Sequence, residues 1–392
     1  MPKRAAIVGI GQTRCSYESE GFNHKELMYL AAKEALSDAG ISRDDITSAF
    51  TTSLDFAEGR SLSNQYVLDS IGGVMKPCDL RLGEDGIFGI LAGYQEALSK
   101  PAQIVVVASV QMASDMHNGS SAALFLTHLE SNYVRPVCSQ APSLAAVEYC
   151  LAAMEAKCYM ERSGVTEEDI ARVSVKNRRN ALKNPLAANQ QAVTLKDVMS
   201  SMLLSSPIRS LMAARLCDGA CAIVVASGEI AADLTDKPVW ISGIGSCSDV
   251  WYPAKNDLSK AGATHIAASR AYAMAGIRKP AEEIDVAEVC DRYSFDELQN
   301  CEALGLCDEG DGGRMVKECI SEINGCLPVN PSGGLLGHGN PLGTAGLMRV
   351  AEAALQLRGD AGGHQVAGAE VAVAQGCQWP FRSAGVVVLS RW

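Results

Sequence analysis

The densest chemistry in this chain lies between Asn330 and Leu347, in the run NPSGGLLGHGNPLGTAGL. Six glycines and two prolines in eighteen residues exclude a helix or strand interior, because glycine is entropically costly to order and proline lacks an amide donor. The residues that follow, Leu347–Leu357, have helical spacing. The stretch is therefore read as a built loop delivering the chain to a helix N-terminus, whose unpaired amides and positive dipole end face back into the loop. Such a junction can hold an anion or polarise a carbonyl oxygen when glycines let the backbone approach. The plain alternative is a glycine-rich turn with no chemistry.

The elements that must position this loop repeat along the chain. Ala5–Ile10 reads as a buried strand, with a turn at Gly11 and Gln12. Lys25–Ala39 reads as a helix capped by Gly40, and Ile46–Ser53 as a second strand. A helix over Ile87–Leu98 follows Gly83, Glu84, Asp85 and Gly86, and Ile104–Ser109 is a strand whose continuous apolarity implies burial on both faces. Val239–Ile244 with Gly245, Ser269–Ala275 with Gly276, and Asp285–Cys290 echo the first three elements at an offset of about 235 residues. Gly343–Leu347, its helix and Ala369–Ala374 echo Gly83–Ser109 at an offset of about 260. Duplicated strand–helix alternation predicts two stacked α/β halves. The expected division is 1–114 plus 206–235 for the first half and 236–392 for the second, with 115–205 an inserted helical cap. Ser206–Ser210 and Leu216–Ser227 return to the first sheet, and Phe56–Cys78 is read as a flap or dimer contact.

Composition narrows the function. A net charge of −11 and a pI of about 5.1 argue against nucleic acid or an anionic membrane as the main partner. Fourteen scattered cysteines without a C-x-x-C pair suit a reducing cytoplasm better than a disulfide framework or structural zinc, so no metal is expected. The N-terminus runs straight into a strand pattern, with neither a secretory signal nor a spanning segment.

The loop resembles the N-x-x-G-G-x-x-x-x-G-H-P-x-G-x-x-G signature of the thiolase superfamily, with Asn340 standing where that signature has histidine. Cys217–Ser227 (CDGACAIVVAS) is similar to its S-D-G-A-A-A-V-V-L strand, and Glu288–Glu297 (EVCDRYSFDE) to its E-x-H-D-C-F segment. The resemblance covers almost the whole chain and implies an α/β fold with five αβαβα layers. It is nearest to thiolase-like subunits that work with a small zinc-ribbon/OB-fold partner. It implies acyl-CoA substrates, coenzyme A as co-substrate with no tightly bound cofactor, a homodimer core compatible with sheet continuation through Ile104–Ser109, and a cytoplasmic location.

The catalytic positions depart from the pattern. Ungapped counting puts the helix-start nucleophile at Gly83, which has no thiol. Cys290 is the thiol in the right segment, and the expectation is that the nucleophile has moved there. Asn340 would donate its amide to an oxyanion, His338 would act as base or electrostatic neighbour, and Cys377 is a secondary thiol. Gly83, Gly333, Gly334 and Gly343 are the expected backbone contacts to the acyl-CoA. Each has a plainer reading: a buried small hydrophobe for Cys290, a turn cap for Asn340, a surface loop for His338. Glu84 and Asp85 suit helix capping, or a base beside the vacated nucleophile position, and Tyr293 the core or a proton transfer. Arg135, Lys176, Arg178 and Arg179 are candidates for the CoA phosphates, or a solvated helix face.

The implied activity is thiolytic cleavage of a branched or aromatic 3-oxoacyl-CoA, of the kind met in benzoylsuccinyl-CoA thiolysis. The alternatives are retro-aldol cleavage of a 3-hydroxyacyl-CoA without a covalent intermediate, and an inactive acyl-CoA-binding scaffold.

Overall fold

The computed structural model describes residues 4–19, 21–55, 67–100, 103–115, 144–189, 191–250, 256–378 and 383–392. Nine strands form one mixed sheet. Those of the first half are β1 (Ala5–Gln12), β2 (Ser48–Thr52), β3 (Cys78–Leu82), β4 (Ile104–Met112) and, after the two-stranded ribbon β5 (Leu203–Ser205) and β6 (Ile208–Arg209), β7 (Asp218–Ser227). Those of the second are β8 (Val239–Ser248), β9 (Val286–Glu288), β10 (Val371–Gln378) and β11 (Ser383–Ser390). The order is β3-β2-β4-β7-β1-β8-β11-β10-β9, and the halves join where Ala6 and Ile7 of β1 pair with Trp240 and Val239.

Strand periodicity explains the layering. Ile7, Val105, Val107, Ile223 and Val225 point into one core, while Ala6, Val8, Val106, Ala108 and Val224 point into another. The outer face of the first half is covered by α1 (His24–Asp38) and that of the second by α5 (Gly262–Ala275). Between the halves lie α2 (Gly86–Ala97) and α8 (Ala345–Arg358), packed on each other and on strands of both. Helix, strand, paired helices, strand, helix is the five-layered arrangement. The segment between the halves carries α3 (Leu144–Ser163) and α4 (Glu167–Ala181), and α4 packs on α6 (Ser294–Ala303). No helix among the described residues is long and apolar enough to cross a membrane.

The duplication extends to backbone contact. A Cβ on Gly9 or Gly11 would lie 2.3 or 2.1 Å from the carbonyl oxygens of Ala35 and Ala31 in α1. One on Gly243 or Gly245 would lie 2.1 or 2.0 Å from those of Ala271 and Ala267 in α5. These glycines let a helix ride directly on a strand.

Four expectations are corrected. Gly11 and Gln12 do not turn; they stay in β1, paired with Ala222 and Cys221. Ser206–Ser210 lies at the ribbon β5–β6 rather than in the main sheet. Ile104–Ser109 cannot continue the sheet into a partner, because β4 lies between β2 and β7; the free edge on that side is β3. The loop Asn330–Leu347 contains a short helix, α7 (Gly334–His338), whose first amides are held by a side chain from elsewhere in the chain. Residues 56–66 of the expected flap lie outside the described residues.

Candidate active site

Two helix N-termini converge on one carboxylate. Asp85, the residue before α2, accepts hydrogen bonds from the Ile87 amide at 2.9 Å and from the Gly346 amide of α8 at 3.2 Å. The first satisfies an unpaired donor of α2 and the second one of α8, and both dipoles favour negative charge there. Glycines on both sides make the room: a Cβ on Gly346 would sit 1.7 Å from Asp85 Oδ1, and one on Gly376 2.9 Å away. Asp85 is 2% exposed. Burial raises its carboxyl to about 7, against the opposing pull of the Arg349 guanidinium and the Ile87 amide. Gly83 lies in the turn three residues before α2 begins, and a Cβ there would meet nothing nearer than Asp55 Oδ2 at 4.0 Å. The first residue of α2 is Gly86, so neither position holds a thiol.

Beside this carboxylate lies a thiol pair. Cys290 follows β9, with its amide donating to Gln375 Oε1 at 2.8 Å and its carbonyl accepting from Asn300 Nδ2 at 2.9 Å. Its side chain packs with Leu335, Ala345 and Cys377. Cys290 is the member that holds charge: the hydrogen bond from Cys377 pulls its thiol down, burial opposes, and the guanidinium groups of Arg349 and Arg292 pull it down further. Cys377 is pushed up by the same hydrogen bond and by burial. The two thiols behave as one acid sharing a proton. Arg349 is anchored by its Nε on the Gln375 carbonyl at 2.7 Å.

Cys290 is only 3% exposed, whereas Cys377 lines a cleft of about 520 Å³ with Thr264, Arg292, Asp296, Asn300 and Gln378. Burial lifts Asp296 to about 7 despite Arg292 beside it. Tyr293 is buried, its hydroxyl donating to Glu148 at 3.0 Å and its ring stacked near Phe295, so it belongs to the core.

The glycine loop is held from beneath. Asp291 accepts from the amides of Leu335 at 2.6 Å and Leu336 at 3.3 Å, and Glu288 accepts from the amide and hydroxyl of Ser332 at 3.0 and 2.7 Å. A Cβ on Gly334 would meet Asp291 at 2.3 Å and one on Gly333 would meet Ala181 at 2.7 Å, so these two glycines seat the loop on its own protein. Gly343 likewise lets the Leu54 amide approach, 2.7 Å from where a Cβ would stand. Asn340 Oδ1 accepts from the Leu342 amide at 3.1 Å, which turns its NH₂ end the other way. His338 is buried, its Nε2 has no hydrogen-bond partner among the described residues, and the groups that raise its imidazole are Cys15, Glu352 and Glu288 rather than Cys290. The cysteines meet each other, and no hydrogen bond joins His338 or Asn340 to Cys290 among the described residues.

Two of the three basic candidates on α4, Lys176 and Arg178, are corrected, while Arg179 is exposed as a solvated helix face requires. Lys176 is buried, donating to the Val329 carbonyl at 2.6 Å and to Asn177 Oδ1 at 2.7 Å and pairing with Glu297 at 3.1 Å. It is a structural cation, neither a phosphate contact nor part of a solvated face. Arg178 is buried near Tyr17, and Arg179 pairs with Glu322. Arg135 lies outside the described residues.

Asp85, Arg349 and Arg292 were the parts hardest to read from the sequence. Asp85 looked like an ordinary helix cap, and only Gly346 and Gly376, far along the chain, hint that a bulky group must fit between them.

A duplicated five-layered α/β core, with helix N-termini and a thiol pair meeting under a glycine loop, defines a protein of the thiolase fold. Residues 246–391 match the family model "Thiolase C-terminal domain-like". The acetyl-CoA acetyltransferase of Methanothermobacter thermautotrophicus is 30% identical over 98% of this chain and 99% of its own length. The benzoylsuccinyl-CoA thiolase subunit BbsB of Thauera aromatica is 33% identical over 55% of each chain. Among solved structures, the Ltp2-ChsH2(DUF35) aldolase superposes with a TM-score of 0.83 at 26% identity, covering 100% of this chain and 98% of its own. Human mitochondrial 3-ketoacyl-CoA thiolase does so at 0.72 and 18%, covering 99% of both, which is a likeness of fold. The chain belongs to the thiolase family.

Proposed function

We propose that the protein is a thiolase-type acyltransferase that cleaves a 3-oxoacyl-CoA with coenzyme A through a thioester on its cysteine pair. The observation that carries this reading is the Cys290–Cys377 pair at the wall of the cleft, with charge on the inner sulfur and the outer one presented. Cys377 attacks the 3-oxo carbon and passes its proton to the Cys290 thiolate. The carbon–carbon bond breaks, leaving the acyl group on Cys377, and the departing thioester enolate takes the proton back from Cys290. Coenzyme A then gives its proton to Cys290 and attacks the acyl group, and Cys377 leaves as a thiolate that recovers that proton. The NH₂ group of Asn340 donates to an oxyanion and the open Gly83 turn offers backbone to the thioester, while Gly333, Gly334 and Gly343 hold the loop on its own protein. Relative to the sequence expectation, the attacker moves from Cys290 to the secondary thiol Cys377 and the proton carrier from His338 to Cys290, because Cys290 is the more buried. A branched or aromatic acyl group, a homodimer core, a small zinc-ribbon/OB-fold partner and a cytoplasmic location complete the reading. The benzoylsuccinyl-CoA thiolase subunit and the DUF35-containing complex among the similar proteins support it.

A second reading has its own observation. Asp85 places a buried carboxyl, raised to about 7, two residues from Gly83, the position matched to the helix-start thiol, and an aldolase is among the similar structures. Asp85 would then take the hydroxyl proton of a 3-hydroxyacyl-CoA, and retro-aldol cleavage would follow without coenzyme A.

Intact-mass spectrometry after incubation with a panel of 3-oxoacyl-CoAs separates the two. An acyl adduct absent from Cys377→Ala, with turnover that consumes coenzyme A, supports thiolysis. Cleavage of a 3-hydroxyacyl-CoA without adduct or coenzyme A consumption replaces it with the aldolase.

A further inference from the structure

The inserted segment meets the glycine loop through a stripe of asparagines to which the reaction above gives no role. Asn177 and Asn180 lie on α4 and Asn184 just beyond its end, at the spacing that keeps side chains on one face of a helix. All three are buried. Glycines of the loop bring the two backbones together. A Cβ on Gly337 would lie 2.6 Å from the Asn177 carbonyl oxygen, and one on Gly333 would lie 2.7 Å from the Ala181 Cβ. At that range each asparagine reaches across with its side-chain amide. Asn180 Nδ2 donates to the Asn330 carbonyl at 3.1 Å, and Asn184 Nδ2 donates to the Ser332 carbonyl at 3.1 Å.

Asn177 makes the central link. Its Oδ1 accepts from Lys176 Nζ at 2.7 Å, which turns its NH₂ toward two carboxylates, Asp291 Oδ2 and Glu297 Oε2, both at 2.7 Å. Asp291 follows Cys290 in the chain, and its oxygens take the Leu335 and Leu336 amides in the first turn of α7. Leu335, fixed in this way, packs on Cys290. Glu297 takes the Asn330 side-chain amide at 2.8 Å, and Asn330 Oδ1 takes the Val289 amide at 2.8 Å. Both chain neighbours of Cys290 are therefore tied back to α4, Asp291 by way of Asn177 and Val289 by way of Asn330 and Asn180.

We propose that Asn177 and Asn180 are positioning residues for the thiol pair: through Asp291 and Asn330 they hold the two neighbours of Cys290 and so set its sulfur against Cys377. This rests on the thiol-pair chemistry given above. Two carboxylates buried side by side need a donor between them, because a buried acceptor left without one is expensive. An asparagine supplies that donor without adding charge, and its planar amide fixes the spacing of the two acids. Alanine at 177 removes the donor from both oxygens, so Asp291, and the backbone of Cys290 with it, settles elsewhere. A displacement of about 1 Å in a reacting group can cost about a hundredfold in rate.

The test is Asn177→Ala, measured on folded protein. The expected result is a fall in kcat of roughly tenfold to a hundredfold with the KM for coenzyme A little changed. Iodoacetamide should also alkylate Cys377 at neutral pH about tenfold more slowly, read by mass spectrometry, because the sulfur that takes its proton has moved. Asn180→Ala should lower both rates in the same direction. An asparagine that only stabilises the fold would lower the melting temperature and leave kcat and the alkylation rate at wild-type values, and that result overturns the proposal. If Asn177→Ala does not fold, wild-type kcat and alkylation in Asn180→Ala overturn it instead. Undiminished turnover in Cys377→Ala sinks the thiol-pair chemistry, while slower alkylation of Cys377 in Asn177→Ala still reports the positioning.

Discussion

Replacing Asp85 by asparagine should change how stability depends on pH. In the folded protein the carboxyl titrates near 7, raised by burial from 3.8. A shift of about three units corresponds to about 4 kcal/mol of linkage. Below about pH 4 both folded and unfolded chains hold the proton and the group contributes no pH dependence. Between about 4 and 7 the unfolded chain ionises first, so wild-type stability falls as pH rises. Above about 7 both forms are ionised and the loss is constant. Asparagine has no such window, but its NH₂ cannot accept from both the Ile87 and Gly346 amides, which costs about 1–3 kcal/mol at every pH. Asp85→Asn should therefore be less stable than wild type near pH 4 and equal or more stable near pH 7.5. Urea unfolding of both proteins in buffers of matched ionic strength measures the difference. A stability gap that stays the same across the range refutes the buried, protonated carboxyl. The same variant should keep thiolysis and lose retro-aldol cleavage if Asp85 is the base of the second reading.

Gly346→Ala should abolish activity or soluble expression, since its Cβ would occupy the position of Asp85 Oδ1; wild-type turnover and melting temperature would contradict the shared cap. Lys176→Met should destabilise the fold by about 3–5 kcal/mol by stranding Glu297, with the KM for coenzyme A unchanged in the folded fraction. A raised KM without loss of stability would return Lys176 to the phosphate site. Cys290→Ala should leave Cys377 slow to acylate, because the sulfur that receives its proton is gone; rapid single-turnover labelling by mass spectrometry would remove Cys290 from the proton path.

Much of the framework was legible because it rests on local rules. Two copies of strand, helix and capping glycine appear in the sequence, and Gly40 and Gly276, with φ +65° and +79°, end corresponding helices of the two halves. Continuous apolarity marked β4 as buried on both faces, and the glycine run before α8 marked the loop. The site was less legible. Lys176 resembled a solvated basic face with Arg178 and Arg179, and only packing under the loop reveals a buried ion pair. His338 is close to Asn340 in sequence, yet it is buried with its Nε2 lacking a hydrogen-bond partner among the described residues.

Periodicity, glycine spacing and helix starts are properties of neighbouring residues, so the sequence by itself determined a duplicated α/β chain with a backbone-lined loop before a helix. Charge state and partnership depend on burial and on residues far apart, such as Asp85 and Gly346, 261 positions from each other. Only the tertiary structure decided that Cys290 packs against Cys377 at the wall of a cleft, because a thiol's readiness to ionise is set by what surrounds it and not by its place in the chain.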